Sequence, residues 1–117
     1  MTERAELSRL REICLALAEV EERLSHGSPA FFTKGKQFLH YWDNHHGDGW
    51  HCFWCAAPIG MQEALIAADS RRFFRPPYVG HRGWIGVNLD DGPDWAEIEH
   101  IVGYAHRAVR PARAGRG

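Results

Sequence analysis

The side chains best suited to chemistry gather in two stretches. Arg71–Asn88, RRFFRPPYVGHRGWIGVN, carries Arg72, Arg75 and Arg82 around Tyr78, His81 and Trp84, and Lys34-Gly35-Lys36 sets two ammonium groups about a turn glycine. Cationic groups pair with phosphates, and aromatic rings stack on bases or wedge into a groove. Lys34, Lys36, Arg72, Arg75 and Arg82 are therefore the candidate DNA-binding residues. A second combination suits a small ligand. If the 25–29 loop meets the 76–84 loop, Glu22 and His26 come to face Tyr78, His81 and Trp84 across an aromatic-walled pocket with a few polar groups. A His beside a carboxylate can also move a proton. The chain nevertheless lacks a nucleophile motif, a phosphate-cradling loop and paired metal ligands. A non-enzymatic binding protein without a cofactor is expected, with no catalytic residue assigned.

A metal reading starts from His45, His46, Asp48, His51, Cys52 and Cys55. Cys52 and Cys55 have the spacing of a zinc knuckle, but there is no second cysteine pair. Three residues apart on a strand, they point to opposite faces and cannot close on one ion. His45, His46 and His51 could still grip an ion at the turn, against the reading of a polar hairpin loop, and no metal site is expected.

These groups need elements to position them. Leu7, Leu10, Cys14, Leu17 and Val20 recur at helical spacing, which predicts a first helix over Thr2–Glu22 with Thr2 as its N-cap. Cys14 sits in that stripe as a small core hydrophobe. Gly27 and Pro29 break the chain, and strands are expected at Ala30–Thr33, Gln37–Trp42 and Trp50–Cys55. Lys34–Lys36 forms a tight turn, and Asp43–Gly49 a longer polar one. Along the second strand Phe38, His40 and Trp42 share one face. If Trp50, Cys52 and Trp54 face the helices, Phe53 turns outward beside Trp84 and leaves an apolar patch for a dimer contact or a ligand surface.

A short helix over Pro58–Asp69 is predicted to bury Met61, Ala64, Leu65 and Ala68. The Arg71–Asn88 unit reads as strand, loop and strand, its loop ordered by Pro76, Pro77, Gly80 and Gly83. A last helix opens at Asp94 with Glu97 three residues on, the spacing of a capping box, and stops at Pro111. The expected architecture is α+β in two layers, an antiparallel sheet with helices packed on one face, in the order α-β-β-β-α-β-α.

At 117 residues, 44% hydrophobic and 25% charged, the chain suits one globular domain over 1–110 with a flexible tail at 111–117. The formal net charge of −1 supplies no global field to draw in nucleic acid or an anionic membrane. DNA contact must therefore come from a local patch. No apolar run approaches the ~20 residues of a membrane span, and the charged N-terminus lacks a signal core, so a cytoplasmic protein is expected. Three cysteines argue against a secreted disulfide scaffold. A monomer or weak homodimer is expected.

The runs SHGSPAFFTKGKQF (25–38), WHCFWC (50–55) and RFFRPPYVGHRGWIGVNLD (72–90), with the closing helix DWAEIEHIVGYAHRAV, resemble the MmcQ/YjbR family, in order and over nearly the whole chain. The resemblance implies a fold similar to the frataxin and CyaY group. It also implies DNA binding through a double-wing arrangement of hairpins. Many family members carry a run of lysines before the Trp-bearing strand, where this chain has GHRG with Arg82 alone. The acids of the first helix are interrupted by Arg4, Arg9 and Arg11, so the iron chemistry of frataxin-like proteins is not carried over. The alternatives to DNA are a small molecule in the loop pocket, or a protein partner on the outer sheet face.

Overall fold

Apolar side chains on facing strand positions build one antiparallel sheet, in a computed structural model that describes residues 3–44 and 47–110. Its strands are β1 (Val20–Ser25), β2 (Ser28–Thr33), β3 (Lys36–Asp43), β4 (His51–Cys55), β5 (Phe73–Phe74) and β6 (Ile85–Asn88). They lie in the spatial order β1-β2-β3-β4-β6-β5. Three α-helices, α1 (Ala5–Leu15), α2 (Met61–Ala68) and α3 (Trp95–Val109), complete the α+β fold. None of the helices is long and apolar enough to cross a membrane.

Residues directly opposite in an antiparallel pair share a face. The register Glu22↔Phe31↔Leu39↔Cys55↔Ile85, extended by Tyr41↔Phe53↔Val87↔Phe73, therefore defines one side of the sheet. α1 and α3 cover this side, and Leu10, Cys14, Ile98 and Val102 meet the sheet there in a single core. Each fully buried Phe or Leu in it contributes about 1.5–3 kcal/mol. Arg11 of α1 clamps Glu22 of β1 with both forks, at 2.7 and 2.9 Å, which ties the helix to the sheet margin. α2 packs apart from the other two helices, beside β5. The opposite side carries His40, Trp54, Gly86 and Phe74 in register.

Four expectations need correction. The first helix stops at Leu15, and Val20–Ser25 is a strand rather than its last turn. Glu19 at φ 60° reverses the chain between them, and His26 (φ 53°) and Gly27 (φ 79°) make a two-residue hairpin turn where a simple breaker was expected. The order is thus α-β-β-β-β-α-β-β-α. Second, Phe31 pairs with Leu39 while Phe32 pairs with Gln37, so Phe38 is an extra residue on β3. That bulge turns Phe38 off the face of His40 and Trp42, and its ring meets His106 of α3 edge-on at 5.4 Å. Third, Trp54 and Cys52 face away from α1 and α3 while Phe53 and Cys55 face toward them, so no outward Phe53 patch exists. Fourth, α2 buries Gln62, whereas Ala64 and Ala68 are exposed.

Other expectations hold. Asp94 caps α3, its carboxylate accepting the Glu97 N–H at 3.2 Å. Cys14 is fully buried. The proposed cap Thr2, the turn residues His45 and His46, and the 111–117 tail lie outside the described residues.

Candidate functional site

The open side of the sheet presents a row of rings. His26 and His40 stack with centroids 6.2 Å apart, His40 lies 4.0 Å from Trp42, and Trp42 lies 4.9 Å from Trp54. Strand alternation makes the row, because β3 contributes His40 and Trp42 and the neighbouring β4 contributes Trp54 opposite His40. The Ser25 carbonyl accepts a 2.9 Å hydrogen bond from His40 Nε2, which orients this imidazole. At the strand's far side Phe74 lies over Gly86, where a Cβ would stand 2.3 Å from the ring, and Phe74 stacks on Trp50 at 5.0 Å.

A loop from Pro76 to Gly83 forms the second wall. Its anchor is Gln62 of α2, which is only 4% exposed. The Gln62 amide donates to the carbonyls of Gly80 (2.9 Å) and Trp84 (2.6 Å), and its oxygen accepts from Arg75 at 3.4 Å. With the loop so fixed, Arg82 lies 5.4 Å over the Trp84 ring. Tyr78 sits at the rim in a left-handed conformation (φ 66°) and is 85% exposed. A left-handed non-glycine residue costs of order 1–3 kcal/mol and is held by its surroundings.

Between the row of rings and the loop lies a cleft of about 1330 Å³. His26, Lys36, Tyr78, Arg82 and Trp84 all line it, so the structure brings together three of the five pocket residues and two of the five DNA-binding residues expected from sequence. The others stand elsewhere. Glu22 faces α1 and is held by Arg11. His81 is exposed in the short 3₁₀ turn Gly80–Arg82 and does not line the cleft. Lys34 pairs with Glu19 at 3.7 Å. Arg72 is paired with Asp69 and Glu97. Arg75 bonds Gln62 and lays its stem against Gly80. Asp48 is the sole acid among the lining residues.

Sequence reading did not assign His40, Trp42, Trp54 or Gln62 to the site. A His-x-Trp alternation facing a Trp on the next strand was the available signal for the first three. No local signal marks Gln62, since its role depends on carbonyls 18 and 22 residues away.

The metal candidates are placed apart. Cys52 pairs across the sheet with Asn88 and Cys55 with Ile85, on opposite faces, and all three cysteines are buried free thiols. Burial pushes the Cys14 and Cys55 thiols well up and that of Cys52 to about 12, so none is a ready nucleophile. His51 is engaged by Tyr41, Arg4 and Asp90, on the helix side. Among the described residues no three His, Cys, Asp or Glu side chains converge as metal ligands.

Comparison with curated proteins returned no match, and comparison with solved structures returned none either. A protein-family model does match: YjbR, over residues 15–108, a span that runs from the end of α1 almost to the end of α3 and contains every residue of the cleft named above. The chain belongs to the YjbR family.

Proposed function

We propose that this protein binds DNA in single-stranded form, stacking unpaired bases in the open-face cleft and meeting the phosphates with Lys36 and Arg82. The observation that carries the reading is the joining, in one cleft, of a row of aromatic rings with two cations. Stacking platforms edged by positive charge are the means by which proteins hold single strands without a sequence code. Duplex binding by basic wings is less well supported. It draws on several phosphate contacts at once, and Lys34 and Arg72 are already committed to carboxylates.

Size favours a strand over a lone metabolite. Ligand pockets for small molecules run about 300–1,000 Å³, and this cleft exceeds that range. A planar anion of mononucleotide size is the second reading, supported by the same rings and cations. The binding is non-enzymatic in this proposal.

The test is fluorescence anisotropy of a labelled oligonucleotide, single-stranded and then annealed, with a mononucleotide as competitor. Preference for the single strand is the expected result. Equal or tighter duplex binding would transfer the reading to the wings, and displacement by mononucleotide at low concentration would favour the small ligand. No binding of any of the three at low salt would overturn the proposal.

A further inference from the structure

β1 forms one margin of the sheet, paired with β2 on one side and with no other strand among the described residues. The turn decides which of its backbone groups point outward. His26 and Gly27 make a two-residue loop with both φ positive, and such loops close on a hydrogen-bonded flanking pair, here Ser25 and Ser28. Hydrogen-bonded and non-bonded pairs alternate along an antiparallel ladder. Arg23 and Glu21 therefore also bond inward to β2, and the N–H and C=O groups of Val20, Glu22 and Leu24 point away from the sheet. On the open face Glu21 and Arg23 are exposed and linked by a 2.7 Å ion pair. On the helix side Leu24 is 73% exposed.

An edge with free backbone groups is a template for another strand unless proline, a bulge or like charge defends it. β1 has neither proline nor bulge, and its charges are of mixed sign, Glu21 and Glu22 followed by Arg23. We propose that β1 is a self-association interface, where a second copy of this chain adds its own β1 antiparallel about a two-fold axis at Glu22. This register matches Val20, Glu22 and Leu24 with the outward groups of the second copy's Leu24, Glu22 and Val20. It sets Glu21 opposite the second copy's Arg23 on one face and Val20 opposite its Leu24 on the other. A register centred on Arg23 would oppose Arg23 to itself, and one centred on Glu21 would oppose Glu21 to itself. This register also opposes Glu22 to itself, but with the Cα atoms at the wider, hydrogen-bonded spacing of about 5.5 Å and each carboxylate held by its own Arg11.

A two-fold axis normal to the sheet leaves the faces unchanged, so both clefts open on the same side of a continuous sheet. The interface is narrow, one strand wide, which makes the dimer a weak one.

Sedimentation velocity on the full chain, over a series reaching ~1 mM, tests this. Reversible dimerisation is expected. Arg23→Glu should abolish it by opposing like charges, the double variant Glu21→Arg/Arg23→Glu should restore it, and Leu24→Pro should remove it by deleting an outward donor. Circular dichroism confirms that each variant is folded. A monomer at every concentration, undiminished association of Arg23→Glu, or no recovery in the double variant would each overturn the proposal.

Discussion

The Tyr41 hydroxyl stands 2.8 Å from His51 Nε2, and both rings are buried on the helix side of the sheet. Arg4 approaches the other ring nitrogen, Nδ1, at 2.7 Å. A guanidinium only donates, and at 2.7 Å it is closer to Nδ1 than the Asp90 carboxylate at 3.5 Å, so Nδ1 accepts and the proton sits on Nε2, which donates to the Tyr41 oxygen. One arginine ahead of α1 thus sets the tautomer of a histidine on β4.

Tyr41→Phe removes that acceptor and leaves a buried N–H without a partner, at a cost of about 1–3 kcal/mol. Urea unfolding should show a lowered midpoint with an unchanged slope. A variant as stable as the parent would mean the bond contributes nothing.

Alkali should destabilise the fold. Burial, with Asp43 adding to it, raises the Tyr41 phenol, and burial pushes Cys52 to about 12. In the unfolded chain these groups release protons at about 10 and about 8.5. Between those values and the folded ones, the native state holds more protons than the unfolded, so stability falls as pH rises. It is fully present below about pH 8, and unfolding midpoints at pH 7 and pH 10 should differ in that direction. The native thiols should also stay silent to a thiol reagent until the protein unfolds.

Gly86→Ala places a methyl group 2.3 Å from the Phe74 ring, which cannot stay where it is. Overpacking of this kind costs about 1–3 kcal/mol. Phe74 must also leave Trp50, so Trp fluorescence should change along with the melting temperature. Adding Phe74→Ala should recover part of the loss, which an additive pair would not do.

Gln62→Leu strips two carbonyls of their donor and releases the 76–84 loop. A loss of about 1–3 kcal/mol is expected. Amide exchange should rise first in the loop, at Val79 to Trp84, rather than in β3 or β4. Uniform loss of protection would mean that Gln62 holds the whole fold, not the loop.

Two phosphate contacts from Lys36 and Arg82 imply a modest salt dependence for a single strand, a log–log slope of about −1.4. Lys36→Ala or Arg82→Ala should each reduce that slope by about half, while Lys34→Ala and Arg72→Ala, at paired positions, should leave it unchanged. Tyr78→Ala at the exposed rim should weaken binding about 5- to 150-fold if it stacks on a base. Slopes near −4.5 would instead indicate five contacts on duplex DNA.

Much of the architecture was legible in residue order alone. The stripe Leu7-Leu10-Cys14 specified a helix, the Asp94–Glu97 spacing specified where α3 begins, and the alternation around Trp54 and Val87 specified strands. Each of these signals is local, repeating within a few residues. The family resemblance rested on such runs too, and the family match bears it out. Lys34 and Gly35 announced their hairpin turn for the same reason.

What tertiary structure decided was sidedness and company. β1 was hidden because Val20 continues the helical stripe, and its strand identity depends on pairing with β2. Phe38 changed faces through one extra residue that only the register of two strands reveals. Trp54 could have faced either way by alternation alone. It faces the cleft because α1 and α3 take the side of Phe53 and Cys55. The candidate cations separated for a similar reason: Arg72 and Lys34 found carboxylates that are distant or ambiguous in sequence, while Lys36 and Arg82 met at one cleft. A strand's period fixes which residues share a face, but the energy that chooses the buried face comes from the helices packed against it.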